Sequence, residues 1–310
     1  MNAYTLYAVN IDNAGAGTDL FIDQVSDFSF DPAINALLLG SDGAVDPTYV
    51  AVMSQSPSMA LSTSALATVL AACGISGLSV VADADEFGAD FYLQKLLEGG
   101  TRAVGNSHLR MRSSKGMLIP LSLTASQGAL ATLSMSYVPI FDGTLDPVVI
   151  SNIAPLVGAP AVGEAFTLGP VYVNGAQVEG VQSVTINFGI SLEVIGSDGG
   201  VWPTFVSIGS RRPTISVETT DASILNTFGL TGAAQAATDS AVYFTKMAEG
   251  STRVADLTAE HISFTVDAGH IGVGAISATH PGRASAGLTI TPTYDGTNAI
   301  IAISTATALP

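Results

Sequence analysis

The clearest pattern of hydrophobic and polar positions lies between Val184 and Ile195, in the stretch "VTINFGISLEVI". Apolar residues there alternate with Thr, Asn, Gly, Ser and Glu, which is the period of a strand with one buried face. The following "GSDGG" suits a tight turn, because Gly and Asp tolerate positive φ. "PTFVSIGSRRPTISV" then returns as a second strand, and Pro203 and Pro213 favour an edge or a bulge. The sequence therefore predicts a long hairpin over residues 181–217.

The same arrangement occurs earlier in the chain, as part of an internal repeat. Three collinear blocks pair residues 25–63 with 181–219, 91–103 with 242–254, and 108–144 with 261–297. The first block has 13 identities in 39 positions, and "GSDG" stands in both copies. The offsets of the blocks differ only slightly, as insertions in loops would produce. The repeat predicts a tandem duplication of one domain of ordinary size. Its copies are residues 1–155 and 156–310, joined by a Pro-, Gly- and Ala-rich linker near 154–165.

Each copy also carries the pattern of a helix after its hairpin. Helices are predicted over 62–74 and 219–229, each with Ser or Thr as N-cap and Gly as terminator. Further strands are predicted at 241–248, 260–267, 270–278, 285–294 and 299–304, with equivalents in the first copy. The predicted fold class is mainly β, with two tandem β-sandwich or partial-barrel domains. Each domain has one flanking helix and one long hairpin.

Charge narrows the classes of function. The chain has a net charge of −16, and a division at Pro155 gives −9 and −7, so the charge is spread over both copies. Binding to DNA through counterion release needs clustered Lys and Arg. The three lysines and seven arginines are scattered. DNA affinity is therefore not expected, whereas repulsion of DNA is compatible with the charge.

Targeting signals are also not expected. No run of 18 or more apolar residues occurs, which argues against membrane insertion. The start "MNAYTLYAVNIDNAG" lacks a basic region followed by an apolar run, and so is not read as a secretory signal. The single Cys73 excludes an internal disulfide and is interpreted as a small buried residue.

Catalytic and metal-binding signatures are missing. None of HExxH, CxxC, GxSxG and GxxxxGK[ST] occurs in the chain. His108 and His261 occupy equivalent positions in or beside a strand, but no second ligand type recurs with them. A structural role is favoured over a metal site. We therefore expect no enzyme activity, no cofactor and no metal.

The polar features that do recur lie in turns, and these are the candidate contacts between subunits or stacked rings. Glu98 precedes Arg102 across a glycine turn as Glu249 precedes Arg253, which allows either a local hairpin ion pair or a pair between subunits. The remaining candidates lie at the ends of the two hairpins and in the returning strand of the second: Ser41, Asp42, Asp46, Ser197, Asp198, Trp202, Arg211 and Arg212.

Taken together, these features resemble the tube domain of long-tailed bacteriophages. The resemblance rests on the long hairpin 181–217, on the helix at 220–228, and on "VYFTKMAEGSTRV", which matches "FYLQKLLEGGTRA" in the first copy. In that family six tube domains surround a channel and rings stack into a tail tube. Members with two tube domains per chain form trimers with pseudo-sixfold symmetry.

The resemblance implies a major tail protein of a non-contractile tail, assembled in the host cytoplasm and then part of the virion. It implies homotrimeric rings with an acidic lumen, through which the genome passes without specific binding. Tape measure, tail terminator and tip proteins are the implied partners.

Two alternatives remain open. One is another tail or capsid component built of β-sandwiches, such as a distal tail, tip adhesin or decoration protein. A glycan-binding adhesin is disfavoured because Trp202 is the only tryptophan available for stacking on sugars. The other is a β-rich hydrolase, which the lack of a recurring acid pair disfavours.

Overall fold

The computed structural model describes residues 3–11, 20–40, 45–74, 88–98, 100–105, 107–156, 163–197, 199–223, 235–248, 250, 253–278 and 283–310. The predicted mainly-β class is confirmed. The strands of residues 1–155, the first half, are β1 (Ala3–Ile11), β2 (Leu20–Ile22), β3 (Val25–Asp31), β4 (Ile34–Leu39), β5 (Tyr49–Gln55), β6 (Ser58–Thr63), β7 (Ala89–Leu96), β8 (His108–Ser113), β9 (Gly116–Ser126), β10 (Thr132–Pro139) and β11 (Val149–Ala154). Helix α1 (Leu66–Cys73) lies between β6 and β7.

Residues 156–310, the second half, have a matching series of strands. These are β12 (Phe166–Val173), β13 (Ala176–Val178), β14 (Val181–Asn187), β15 (Ile190–Gly196), β16 (Pro203–Arg211), β17 (Thr214–Thr219), β18 (Gln235–Ala236), β19 (Ser240–Lys246), β20 (His261–Val266), β21 (Gly269–Ala278), β22 (Ala284–Pro292) and β23 (Ala302–Thr307). The segment that joins the halves lies between β11 and β12, and its residues 157–162 are outside the described ones.

Two five-stranded sheets have the same strand order. The sheet of the first half has the order β11-β8-β7-β1-β2, and that of the second half has β23-β20-β19-β12-β13. A nine-stranded sheet contains strands of both halves, in the order β18-β21-β22-β17-β14-β9-β10-β6-β3. Every pairing in these sheets is antiparallel. Apart from the short β18, each half contributes four strands to the large sheet, and the two sets meet where β9 pairs with β14.

The hydrophobic core lies between the nine-stranded sheet, called the large sheet below, and the two five-stranded sheets. Phe91 of β7 contacts Phe28 of β3 at a ring-centroid distance of 5.0 Å and Tyr137 of β10 at 5.8 Å. In the second half Phe264 of β20 packs edge-on against Phe188, which directly follows β14. Such tilted and edge-on ring contacts contribute about 0.5–1.5 kcal/mol beyond burial of their area. The apolar side chains of both halves form one continuous buried cluster.

The structure corrects the predicted long strand. The stretch from Val184 to Ile195 is interrupted at Phe188–Gly189, so β14 belongs to the nine-stranded sheet while β15 leaves it and pairs with β16 alone. Alternation continues through the break, because each of the two strands still alternates its side chains. The pattern therefore could not reveal that the chain changes sheets.

The predicted helices have different outcomes. Helix α1 confirms the first, but it begins at Leu66 because β6 continues through Thr63. The Thr63 hydroxyl accepts a hydrogen bond from the Ala65 N–H (3.0 Å) and so holds the turn into the helix. Most of the second predicted helix, from residue 224 onward, lies outside the described residues.

Candidate assembly interface

The junction between the halves shows what this molecule's sheet edges can bind. In the pairing of β9 with β14, Ile186 lies opposite Leu123. At the end of β14 the Phe188 N–H donates to the Leu121 carbonyl (3.0 Å). Leu123 and Ile186 are fully buried. A strand of one half therefore satisfies the edge of the other half by ordinary antiparallel pairing.

The outer edges of the nine-stranded sheet carry the same two strand types as this junction. β3 ends the sheet on one side and has the repeat position of β14, 156 residues earlier. On the other side β21 has the repeat position of β9, and it contains a register shift at the equivalent place. The short β18 pairs only with Ile271 and His270, near the start of β21. Among the described residues, no strand pairs with the rest of this edge of β21, which corresponds to the edge of β9 that β14 covers.

Side chains at equivalent positions are more exposed at the outer edges of the sheet than at the junction between the halves. Ile276 of β21 is 47% exposed, whereas its counterpart Leu123 is fully buried at the junction. Phe30 of β3 is half-buried, and its counterpart Ile186 is fully buried. An exposed sheet edge with apolar side chains is prone to pair with another chain.

The hairpin β15–β16, called the second hairpin below, reaches back to the first half. The Val201 carbonyl accepts a hydrogen bond from the Gln55 N–H (2.9 Å), and the Pro203 carbonyl accepts one from the Phe141 N–H (2.7 Å). Pro203 is buried and Trp202 is half-buried at this contact. The second hairpin is thus fixed against the neighbouring half of its own chain.

The equivalent hairpin β4–β5, called the first hairpin below, is exposed along most of its length. Leu38, Tyr49 and Val50 are each about 60% exposed, and Val45 at its end is 99% exposed. So many solvent-exposed apolar side chains on one hairpin are unusual for a protein that functions as a monomer.

Both hairpins leave the large sheet at the same kind of pivot. The Asp31 carboxylate accepts from the Ala33 N–H (2.9 Å), and the Asn187 side chain accepts from the Gly189 N–H (2.8 Å). Ala33 has φ of 41° and Gly189 has φ of 57°. An Asx turn followed by a left-handed residue therefore redirects both chains. A Cβ at Gly189 would collide with the Arg212 carbonyl, so glycine is required there.

The outward face of the nine-stranded sheet is lined by small hydroxyl side chains. Cross-strand register gives one row of Ser62, Ser134, Ser122, Asn187 and Thr214, and a second row of Thr132, Thr124, Thr185, Ser216 and Thr289. Some neighbours bond directly, such as Ser62 with Ser134 (3.4 Å). The described carboxylates on this face are Asp27, Asp31 and Glu218, and no Lys or Arg lies among its described strand positions.

The predicted contact residues lie in several different places. Ser41, Asp42, Asp198 and Glu249 are outside the described residues. The Ser197 hydroxyl bonds that of Thr204 across the end of the second hairpin (3.1 Å). Asp46 is exposed at the end of the first hairpin. Arg212 donates its N–H to the Gly189 carbonyl (2.9 Å). Arg211 is half-buried, and desolvation lowers the pKa of its guanidinium.

Of the two alternatives for the glycine turns, a local ion pair or a pair between subunits, the local pair is not formed by Glu98 and Arg102 in the part of the chain described. Both side chains are exposed. The backbone of Arg102 instead pairs with Leu96. At the equivalent turn Arg253 binds the Asp256 carboxylate through both oxygens (2.8 and 3.0 Å), three residues further on. The exposed position of both arginines fits a weak local pair at most.

The two equivalent histidines are buried and form hydrogen bonds with the backbone, as residues with a structural role do. His108 and His261 are fully buried, and their Nδ1 atoms accept the backbone N–H of Lys95 (3.2 Å) and Lys246 (3.1 Å). His261 also bonds the Ala255 carbonyl through Nε2 (3.1 Å). No group of three or more His, Cys, Asp or Glu within the described ranges is arranged to hold a metal ion.

Sequence reasoning did not identify β3 and β21 as candidate contact edges, although the repeat contained the information needed to find them. Aligning β21 with β9 and β3 with β14 shows which two edges lack the partner that their copies have.

No protein-family model matches the chain, and the curated proteins include no match to it. No helix in the described ranges combines the length and the apolar character needed to cross a membrane.

Proposed function

We propose that this chain is a structural subunit of a phage tail tube, in which copies join head to tail into rings that stack. The pairing of β9 with β14 carries the proposal. Each chain displays an equivalent of β14 on one edge, β3, and an equivalent of β9 on the other, β21. Two different complementary edges define a heterologous interface, which closes into a ring when the rotation between copies allows it.

The same reasoning supports two tandem copies of one domain. If the operation that relates the halves also relates the second half to the next chain, three chains give six equivalent places. Four strands from each half then build a barrel of roughly 24 strands, more than the 16–18 with which porins already enclose an aqueous channel. The homotrimeric ring is therefore our proposed assembly.

The outward face of the large sheet is our candidate for the lumen. Its serine and threonine hydroxyls hydrate well, and the carboxylates of Asp27, Asp31 and Glu218 repel phosphate. Without clustered Lys and Arg it offers no counterion-release affinity for DNA. We propose a lumen lined chiefly by hydroxyls with a few acids, through which the genome slides. Tape measure, terminator and tip proteins are the proposed partners, and the virion tail is the proposed location after assembly in the host cytoplasm.

Ile276→Lys tests the assembly. Ile276 is 47% exposed in the single chain, so a lysine there leaves the fold intact, but pairing of β21 with β3 would bury the charge. The expected result is loss of rings and tubes in negative-stain electron microscopy and a monomer mass by light scattering, with unchanged circular dichroism. Leu257→Lys is the matched control, because Leu257 is 88% exposed and lies on neither edge.

The wild-type protein and the control should form rings with a trimer mass, and tubes at high concentration. A wild-type chain that stays monomeric at high concentration would contradict the tail-tube proposal. Rings formed equally well by Ile276→Lys would show that the edge of β21 is not the contact.

A further inference from the structure

The contact of the second hairpin has no counterpart for the first hairpin among the described residues. The second hairpin bonds the first half through the carbonyls of Val201 and Pro203. Their repeat equivalents, Val45 and Pro47, are identical residues at the end of the first hairpin. Both are exposed. The first hairpin thus has the same residues as the second at this position, but the described residues show no equivalent contact.

The receiving side is also duplicated. The Pro203 carbonyl binds the N–H of Phe141, whose repeat equivalent is Tyr294. Residues that precede the two aromatics have the same backbone bonds, from Ile140 to Lys115 and from Thr293 to Ala268, each 2.9 Å. Tyr294 is 67% exposed, whereas Phe141 is half-buried. A second copy of the docking position is therefore present and open.

The charges at the end of the first hairpin and at the corresponding receiving position are complementary. The position of Trp202 in the second hairpin is taken by Asp46 in the first. On the receiving side Gln55 and Ser56 are replaced by Arg211 and Arg212. Because Val201, next to Trp202, bonds Gln55, an equivalent contact would bring the Asp46 carboxylate beside the two arginines. The substitutions change both sides together, from neutral to oppositely charged.

We propose that the first hairpin docks on the second half of a neighbouring copy of this chain. There the Pro47 carbonyl accepts the Tyr294 N–H, the Val45 carbonyl accepts the Arg211 N–H, and Asp46 faces Arg211 and Arg212. The occupant is a second copy, because β3 and β21 lie at opposite ends of the sheet and the first hairpin follows β3 directly. The inference rests on the proposed head-to-tail assembly. It adds a specific contact between the first hairpin and the second half of the neighbouring copy.

Crosslinking between mixed single-cysteine variants tests the contact. Pro47→Cys and Tyr294→Cys proteins are mixed, assembled and treated with a short bismaleimide. The native Cys73 does not interfere, because it is buried and desolvation raises the pKa of its thiol to about 12. We expect a crosslinked dimer in denaturing gels from the mixture and none from either variant alone.

The second hairpin supplies the geometric control. A Pro203→Cys and Phe141→Cys double variant places the same pair within one chain, so it should give a crosslinked monomer of altered mobility. Failure of this control to crosslink would overturn the inference, since the contact used as its template would then not form in solution.

Assembly is observed in the same samples by electron microscopy. Rings without a dimer crosslink would overturn the hairpin contact and leave the proposed function intact. Absence of both rings and crosslink, with a folded protein, would overturn both.

Charge reversal gives a second test that needs no crosslinker. Asp46→Lys should raise the concentration required for assembly about threefold to fivefold, as expected for loss of an exposed ion pair and the addition of repulsion. Asp46→Lys combined with Arg212→Glu should restore the wild-type value. An unchanged threshold in Asp46→Lys, or no recovery in the double variant, would count against the contact.

Discussion

The Glu164 carboxylate, in the segment that joins the two halves, accepts a hydrogen bond from the Thr68 N–H in the first turn of α1 (3.1 Å). The N-cap residue of α1, Ala65, has no side chain that could supply this bond. The first N–H groups of a helix lack partners within it, so an acceptor from elsewhere stabilises the helix. The joining segment thus caps a helix of the first half.

Glu164→Ala is therefore expected to lower the free energy of unfolding by about 1 kcal/mol, the usual effect of removing a cap. Glu164→Gln keeps an acceptor oxygen and should not show this loss. Desolvation raises the pKa of Glu164 above its usual range, despite the bonds from Thr68. A raised pKa means that the folded state holds the proton more tightly than the unfolded chain.

The contribution linked to that proton is present below the unfolded pKa of about 4.3 and is lost as pH rises through the folded pKa. At pH 7 Glu164→Gln should accordingly be at least as stable as the wild type. Urea unfolding of the three proteins at pH 7 measures this order. Equal stability of the Ala and Gln variants would show that the bond does not stabilise α1.

The hairpin pivots give a prediction with opposite signs at equivalent positions. Ala33 holds φ of 41°, which is unfavourable for any residue with a Cβ. The bond from the Ser56 N–H to the Ala33 carbonyl is 3.4 Å, whereas the equivalent bond from Arg212 to Gly189 is 2.9 Å. Ala33→Gly should therefore stabilise the protein by up to about 1 kcal/mol.

Gly189→Ala should destabilise it by about 2 kcal/mol or more, since the new Cβ meets the Arg212 carbonyl. Ala60→Gly in β6 is the control, because glycine in an ordinary strand costs about 0.5–1 kcal/mol. Urea midpoints of the three variants decide the outcome. Destabilisation by Ala33→Gly as large as that by Ala60→Gly would contradict strain at the pivot.

The pivots mark the point beyond which the fold could not be predicted from the sequence. Alternation of side chains identified the strands, because each strand of the large sheet buries one face. It could not separate β14 from β15, since a redirection at Gly189 preserves the alternation on both sides. The repeat located equivalent residues, but only the pairing of β9 with β14 shows that β3 and β21 are complementary edges. Pairing between distant strands depends on backbone positions that side-chain periodicity does not encode.

The turn after Tyr294 provides a prediction about pH. One Asp295 oxygen, Oδ1, accepts the N–H groups of Thr297 (2.8 Å) and Asn298 (2.7 Å), and Asp142 forms the same turn with Thr144 (2.7 Å) in the first half. The bond from Asn298, followed by that from Thr297, lowers the pKa of Asp295. A lowered folded pKa gives stability that is present above the unfolded pKa of about 3.9 and lost as pH falls through the folded pKa.

Asp295→Asn keeps an acceptor oxygen but does not titrate. The urea midpoint of the wild type should fall more steeply between about pH 5 and pH 2 than that of Asp295→Asn, because only the wild type loses the charged acceptor. Asp267→Asn is the control, since no side-chain hydrogen bond closes its turn in the described part of the chain. Identical pH profiles for the wild type and Asp295→Asn would mean that the ionised carboxylate does not hold this turn. Because Tyr294 directly precedes the turn, a loosened loop at low pH should also weaken assembly in the wild type before the chain unfolds.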